Sequence, residues 1–272
     1  MRTFPASQFA VPTVRRAGFG DFNLAETRYD GHAVLPRHAH ENACFVVALG
    51  GISLDRSALR PEATVKPGMV IFRPRHEPHD NVYGASGSRC LNVEISSAWL
   101  TRAGEHTASL RRSTVLSGTA VALLGFRLYR ELLFDDDFIA AESLVACLVA
   151  ELDRSAGVQE RTPPRWLARV NDFIEAHAAT RLSLGAIAAE AGVHPVHLAA
   201  SFQRWHGQSV GEYLRRVRIV RACHALTETD APLADIALGA GFFDQSHFGR
   251  TFKRLMRITP LRFRNAARGG EP

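Results

Sequence analysis

The feature that most constrains this chain is a repeat in its last third. Ser201-Phe202-Gln203-Arg204-Trp205 aligns with Thr251-Phe252-Lys253-Arg254-Leu255, Ser209 with Thr259, and Tyr213 with Phe263, at an offset of 50. Ile187-Ala188 and Gly192 align with Ile236-Ala237 and Gly241 at an offset of 49. Two diverged copies of one unit are far harder to produce by chance than a lone pattern, so this part of the chain folds as a pair of like units.

Each unit reads as helix, glycine turn, helix. In the second, a short helix over Leu233–Ala240 ends at Gly241, a residue that takes positive φ without a Cβ clash. Asp244 stands where an N-cap carboxylate accepts the first free N–H groups of the next helix. Phe248, Phe252 and Leu255 form its buried stripe, which leaves Ser246, Gly249, Arg250 and Lys253 on the open face. In the first unit, Ser183 caps Leu184–Ala191, Gly192 turns, and Pro195 opens the next helix, where its missing N–H does no harm. Its buried stripe is Leu198, Phe202 and Trp205, and its open face is Val196, Ala199, Ala200 and Gln203. Ser209-x-x-Glu212 is a capping box that starts a long helix through Leu226, joining the units. An aromatic underside and a basic top are the layout of a helix-turn-helix whose second helix enters the DNA major groove.

The pattern I-A-x-x-x-G-F-x-x-x-S-x-F-x-R-x-F-K, ending in T-P-x-x-F-R, resembles the signature of the AraC/XylS family of bacterial transcription regulators, over Arg165 to Ala267. The family has Gly after the second recognition helix, where this chain has Arg257. An Arg at positive φ costs about 1 kcal/mol or more, so either the helix ends differently or the strain is tolerated. The pattern around Arg218 implies a structural arginine, with Asp235 as its expected partner. The exposed faces are those of solvated helices or of DNA readers. As readers, Gln245, Ser246 and Arg250 supply hydrogen bonds to base edges, and Lys253 meets phosphate. Val196, Ala199 and Ala200 offer only apolar contact, helped by His197, Gln203 and Arg204, so the second unit is expected to carry most of the hydrogen-bonded specificity.

Charge agrees. From Arg165 onward there are 15 Arg and Lys against 9 Asp and Glu, whereas Met1–Pro164 balances 18 against 18. The net +6 therefore sits wholly on the repeated part, which suggests a polyanion partner there, the alternative being a merely solubilising surface. Cys44, Cys90, Cys147 and Cys223 are scattered without a C-x-x-C, which argues against a disulfide framework or a zinc finger and fits a reducing cytosol. No apolar run reaches membrane-span length and no secretory signal is evident, so the expected location is cytoplasmic.

Residues 1–20 show no period and read as an irregular arm. From about Asp21 to Ile95, short segments (Asn42–Leu49, Ile52–Asp55, Met69–Phe72, Cys90–Ile95) alternate with turn signals at Gly50-Gly51, Lys66-Pro67-Gly68 and Gly84–Ser88, the spacing of a small antiparallel barrel or sandwich. Pro36-Arg37-His38-Ala39-His40, and Pro67-Gly68 leading to His76 and His79, resemble the two half-motifs of a cupin barrel, a domain that AraC-type regulators carry as effector sensor. Beyond Ser97, Val121, Leu124, Leu128 and Leu132 mark one helical stripe, and Leu144, Val145, Leu148 and Leu152 another, with Asp135-Asp136-Asp137 between them. These helices either pair two subunits or only cover the barrel. Gly157, Thr162, Pro163 and Pro164 mark a linker.

The expected fold is multidomain α+β: an N-terminal cupin-like antiparallel β-barrel over residues 1–96, a helical dimerisation or packing segment over 97–153, a linker over 154–164, and an all-α domain over 165–272 with two helix-turn-helix units near 184–206 and 233–256. His38, His40, Cys44, His76 and His79 are the effector-site candidates, Cys44 sharing parity with the histidines on a continuous strand. His38, His40 and His79 are the metal candidates, for a divalent ion. A metal-binding cupin adds Glu about five residues after its second His, where this chain has Phe45. An organic effector or structural hydrogen bonding are the alternatives. The expected function is sequence-specific transcription regulation without catalysis. Its partners are double-stranded operator DNA, a small-molecule or metal effector, a second copy in a homodimer and, for an activator, RNA polymerase. The rival is a cupin metalloenzyme of dioxygenase or isomerase type.

Overall fold

The computed structural model describes residues 2–58, 60–104, 108–134, 138–156 and 163–269. The chain divides into two compact units, Met1–Gly157 and Val158–Pro272.

The first unit is built on one curled sheet. Its strands are β1 (Arg2–Phe4), β2 (Thr13–Phe19), β3 (Phe22–Tyr29), β4 (Val34–His40), β5 (Ala43–Ser57), β6 (Ala63–Val65), β7 (Val70–Arg73), β8 (His79–Ile95) and β9 (Thr114–Leu116). The main path runs β1-β4-β8-β5-β7-β9, with β3 also on β8, β2 on β3, and β6 on β5. All pairings are antiparallel except β1 on β4. Helix α1 (Ser97–Gly104) lies between β8 and β9, and α2 (Thr119–Phe134) and α3 (Phe138–Ala156) follow β9. The buried stripe of α3 is the expected one, Leu144, Val145, Leu148 and Leu152.

Three expectations are corrected here. The arm carries two strands: Arg15 and Arg16 hide an alternation that buries Ala17 and Phe19 against β3. Gly50-Gly51 and Gly84–Ser88 are not turns between strands but lie inside β5 and β8, where the register shifts. Gly51 has φ +74°, and a Cβ there would lie 2.0 Å from the Gly87 carbonyl oxygen of the facing strand. Glycine on both strands thus allows a bulge that bends the sheet, where any side chain would force it open. Finally, the sheet takes its last strand, β9, from beyond residue 96. The acidic run 135–137 and most of the expected linker, 157–162, lie outside the described residues. Arg154–Ala156 closes α3.

The second unit is all helical: α4 (Arg165–His177), α5 (Leu184–Ala191), α6 (Pro195–His206), α7 (Val210–Glu228), α8 (Leu233–Gly239), α9 (Gln245–Met256) and α10 (Pro260–Ala267). Side-chain caps define the starts. Ser183 accepts from the Ala186 N–H, Asp244 from His247, Thr259 from Arg262, and Ser209 with Glu212 forms the expected capping box. Each such cap contributes about 1 kcal/mol. Leu198 and Phe202 of α6 pack with Val170, Ile174 and Ile187 in one cluster. Phe248, Phe252 and Met256 of α9 are fully buried, Met256 taking the place expected for Leu255.

Arg257 ends α9 at φ +64°, matching Gly207 at φ +63° after α6. The repeat thus imposes the same left-handed stop on both units, and the second tolerates the strain. Gly241 is more constrained. Its φ is +96°, and a Cβ would lie 2.2 Å from the Ala178 carbonyl oxygen.

Two outcomes follow for denaturant unfolding. Arg257→Gly should stabilise the chain by about 1 kcal/mol by relieving the left-handed Cβ. Gly241→Ala should destabilise it by on the order of 2–4 kcal/mol, because backbone and not a movable side chain blocks the methyl. An unchanged midpoint for either variant contradicts the geometry of these turns.

Candidate functional site

Two regions gather chemistry. The first is the pair of helix faces on α6 and α9. On α9, Gln245, Ser246, Arg250 and Lys253 are exposed, and Gly249 is half-buried between them. The Asp244 cap fixes where this helix begins, and the three buried residues beneath fix its roll. On α6, Val196 is 70% exposed. His197, Ala200, Gln203 and Arg204 are also exposed, and Ala199 is half-buried. The His197 ring lies 5.6 Å from that of Trp166 on α4, and the Arg204 guanidinium lies 5.6 Å from the Trp205 ring. The α6 face is therefore mainly apolar and the α9 face polar and cationic.

Helix α7 joins the units, and Arg218 on it does not pair with Asp235. Its Nε donates to the Ala178 carbonyl at 2.9 Å and its Nη2 to the Thr180 carbonyl at 3.0 Å. The physical reason is that α4 has just ended, leaving carbonyls with no partner in their own helix. Gly241 packs against the same Ala178 carbonyl. The turn of the second helix-turn-helix thus seats directly on the end of α4, just ahead of the first helix-turn-helix.

The second region is a cavity of about 30 Å³ in the curled sheet, lined by His38, His40, His79, Asn81, Tyr83 and Arg73 among others. His38 on β4 stands directly across from His79 on β8. Their ring centroids are 4.1 Å apart, and His40 lies 5.2 Å from His38 and 5.5 Å from His79. One ligand nitrogen from each ring falls within 4.8 Å of the others. Nδ1 of His38 is 2.9 Å from the Pro36 carbonyl, and Nδ1 of His79 is 2.9 Å from the Glu77 carbonyl. A carbonyl only accepts, so both Nδ1 atoms carry hydrogen and both Nε2 atoms keep a lone pair. Nδ1 of His40 is buried without a partner. All three rings are held neutral. Burial lowers His40 to about 3, reinforced by His38. Burial and then Arg73 lower His79, and burial lowers His38. Arg73 is itself paired with the buried Asp55, which also takes Arg60 and Asn81.

Comparison with known proteins agrees with both regions. Residues 19–152 match the family described as AraC-like ligand binding domain, and residues 187–266 match a helix-turn-helix domain family. The HTH-type transcriptional activator AarP of Providencia stuartii is 38% identical over 92 residues, 34% of this chain and 68% of that protein. Regulatory protein SoxS of Salmonella typhimurium is 31% identical over 94 residues, 35% of this chain and 88% of that protein. This chain belongs to the AraC family of transcription regulators. The HTH-type transcriptional activator Btr of Bacillus subtilis is 32% identical over 84 residues, but these are only 16% of its length.

As an AraC-family chain it has both expected parts, an N-terminal ligand-binding domain built on a β-sheet and a C-terminal helix-turn-helix domain. Two of the effector candidates stand apart from the cavity. Bends at Glu41 and Asn42 break the strand, so the parity that placed Cys44 with the histidines is lost. Cys44 is buried in β5, and burial raises its thiol to about 12, which leaves it protonated. His76 is exposed in the turn before β8, at φ +58°, and only its backbone N–H reaches the trio, donating to the His40 carbonyl. One residue was missed. Phe243 is 87% exposed in the turn just before α9. Its signal was an aromatic outside the buried stripe, immediately ahead of the N-cap.

The neutral histidines set a pH dependence. His40 titrates near 3 in the fold and near 6.5 in the unfolded chain. Below about 6.5 the unfolded chain gains protons that the folded ring refuses, so this stability is complete above that pH and is lost as pH falls toward 3. The melting temperature of the full chain in chelator should drop between about pH 7 and pH 5, above the ordinary carboxylate range. A flat profile there contradicts neutral burial of the trio.

Proposed function

We propose that this protein binds operator DNA through both helix-turn-helix units and that a ligand in the N-terminal domain alters that binding. Gln245, Ser246 and Arg250 read base edges, and Lys253 holds phosphate. Val196, Ala199 and Ala200 touch thymine methyls, while His197, Gln203 and Arg204 position the first helix on the backbone. Gly249 lets α9 approach the groove closely, and Phe243 adds an apolar contact at its start. Residues 1–153 are the sensor with its packing helices, 154–164 the linker, and 165–272 the DNA reader. The helical segment pairs two copies, and RNA polymerase is the further partner where the protein activates.

The observation that carries this reading is the matched pair of exposed helix faces joined by α7. At 1.5 Å per residue its 19 residues span about 28 Å, close to the roughly 34 Å between successive major-groove segments. Against the metalloenzyme reading, no carboxylate joins the histidine trio among the described residues, and the relatives are transcription regulators.

Selection from a random duplex pool at stated salt should recover a site with two segments about one helical turn apart. Binding without sequence enrichment, collapsing with salt, contradicts the proposal. On the selected site, Arg250→Ala should cost about 1–3 kcal/mol and relax preference at one position. Uniform weakening on every sequence reassigns Arg250 to phosphate.

A further inference from the structure

The cavity limits what the histidine trio can enclose. About 30 Å³ of free space holds roughly two water molecules. An organic ligand needs about tenfold more. What the cavity does offer is three imidazoles from two strands, brought together by the β4–β8 register. The Pro36 and Glu77 carbonyls fix the Nδ1 hydrogens of two rings, so their Nε2 lone pairs are left for another partner. A second backbone contact that orients a histidine and fixes its tautomer is the arrangement found behind metal-ligating imidazoles. Phe4 stacks on His40 at 5.5 Å and packs edge-on against His38 at 5.4 Å, giving the trio an apolar cover.

We infer that His38, His40 and His79 form a binding site for one divalent transition-metal ion, which is the ligand class of this sensor. The role as effector rests on the regulator reading above; the site itself does not. Three neutral nitrogen donors select borderline ions such as Zn²⁺, Co²⁺, Ni²⁺ or Cu²⁺ and reject Mg²⁺ and Ca²⁺, which demand oxygen. A tetrahedral ion at about 2.0–2.1 Å from each nitrogen places the nitrogens about 3.3 Å apart. From a spread of 4.8 Å, each ring then moves by less than about 1 Å. The remaining space holds one water as the fourth ligand. Arg73 is paired with Asp55, and the charge it still projects toward the trio is opposed by the bonds of three neutral imidazoles to the ion.

The test uses the untagged full-length protein, stripped with chelating resin and dialysed against Zn²⁺, Co²⁺, Ni²⁺ or Mg²⁺. Elemental analysis should find one transition ion per chain and no Mg²⁺. His40→Gln and His79→Gln should each weaken binding about tenfold or more, while His76→Ala, altering an exposed histidine nearby, should leave it unchanged. Because the trio variants risk misfolding, Cu²⁺ loaded on the unaltered chain gives a second readout. Its paramagnetic resonance spectrum should show coupling to three imidazole nitrogens. Absence of an ion, uptake unaffected by both Gln variants, or coupling to fewer than three nitrogens overturns the site. Operator affinity that is the same with and without the bound ion overturns its role as effector. Ion counting requires no DNA, so a failure of operator recognition is read separately.

Discussion

The second unit depends on one guanidinium. Arg218 stands on α7 and bonds the carbonyls of Ala178 and Thr180, where α4 has ended. Arg221, one turn on, reaches the Glu175 carbonyl at 3.4 Å. A hydrogen bond from a charged group contributes about 1.5–3 kcal/mol where it is shielded from water, as at the buried Ala178, and less at the exposed Thr180 and Glu175 carbonyls. A cation at a helix C-terminus also meets the negative end of its dipole. The turn of the second reader packs on the same carbonyl through Gly241, where no Cβ fits. The end of the opening helix, the joining helix and the second turn therefore meet at one point. Relative motion of the two readers requires breaking that point, so their spacing is a property of the fold and not of the DNA.

The first unit rests on buried charge. Asp55 on β5 is fully buried and holds Arg73 of β7, Arg60 and Asn81 of β8. Glu26 on β3, equally buried, holds Arg89 of β8 and accepts from the Tyr129 hydroxyl of α2 at 2.9 Å. Removing one partner from such a set leaves an uncompensated charge and costs about 3–5 kcal/mol. These networks tie β3, β5, β7 and β8 together. Ser7 joins them from the arm, its N–H donating to the buried Glu94 at 2.7 Å.

What was legible in the sequence was local. Caps at Ser183, Ser209 and Asp244, the proline at the start of α6, and the stripes of Leu198 with Phe202 and Phe248 with Phe252 are encoded within a few residues, and the structure keeps them. The end of the α9 stripe slipped from Leu255 to Met256, one residue around the helix. The partner of Arg218 was illegible because a free carbonyl leaves no mark in a side-chain pattern. In the sheet, Gly50-Gly51 looks the same as a turn or as a bulge, and only the facing glycine of β8 decides. The arm hides its strands for two reasons: β1 pairs with β4, distant in sequence, and Arg15 and Arg16 mask the alternation of β2, which forms a hairpin with β3. For the sensor, the three histidines were visible by residue type. Their proximity comes from the β4–β8 register, which no local spacing reports, and the loss of Cys44 from the group comes from bends at Glu41 and Asn42.

The central claim is that two reading helices are held at a fixed separation. The most direct measurement inserts half a helical turn, about five base pairs, between the two segments of the selected operator and compares affinities at one salt concentration. A rigid reader places its second helix on the wrong face of the duplex, so affinity should fall toward the non-specific level. Insertion of a full turn should not restore it, because α7 cannot lengthen. Affinity unchanged by the half-turn insertion contradicts the account.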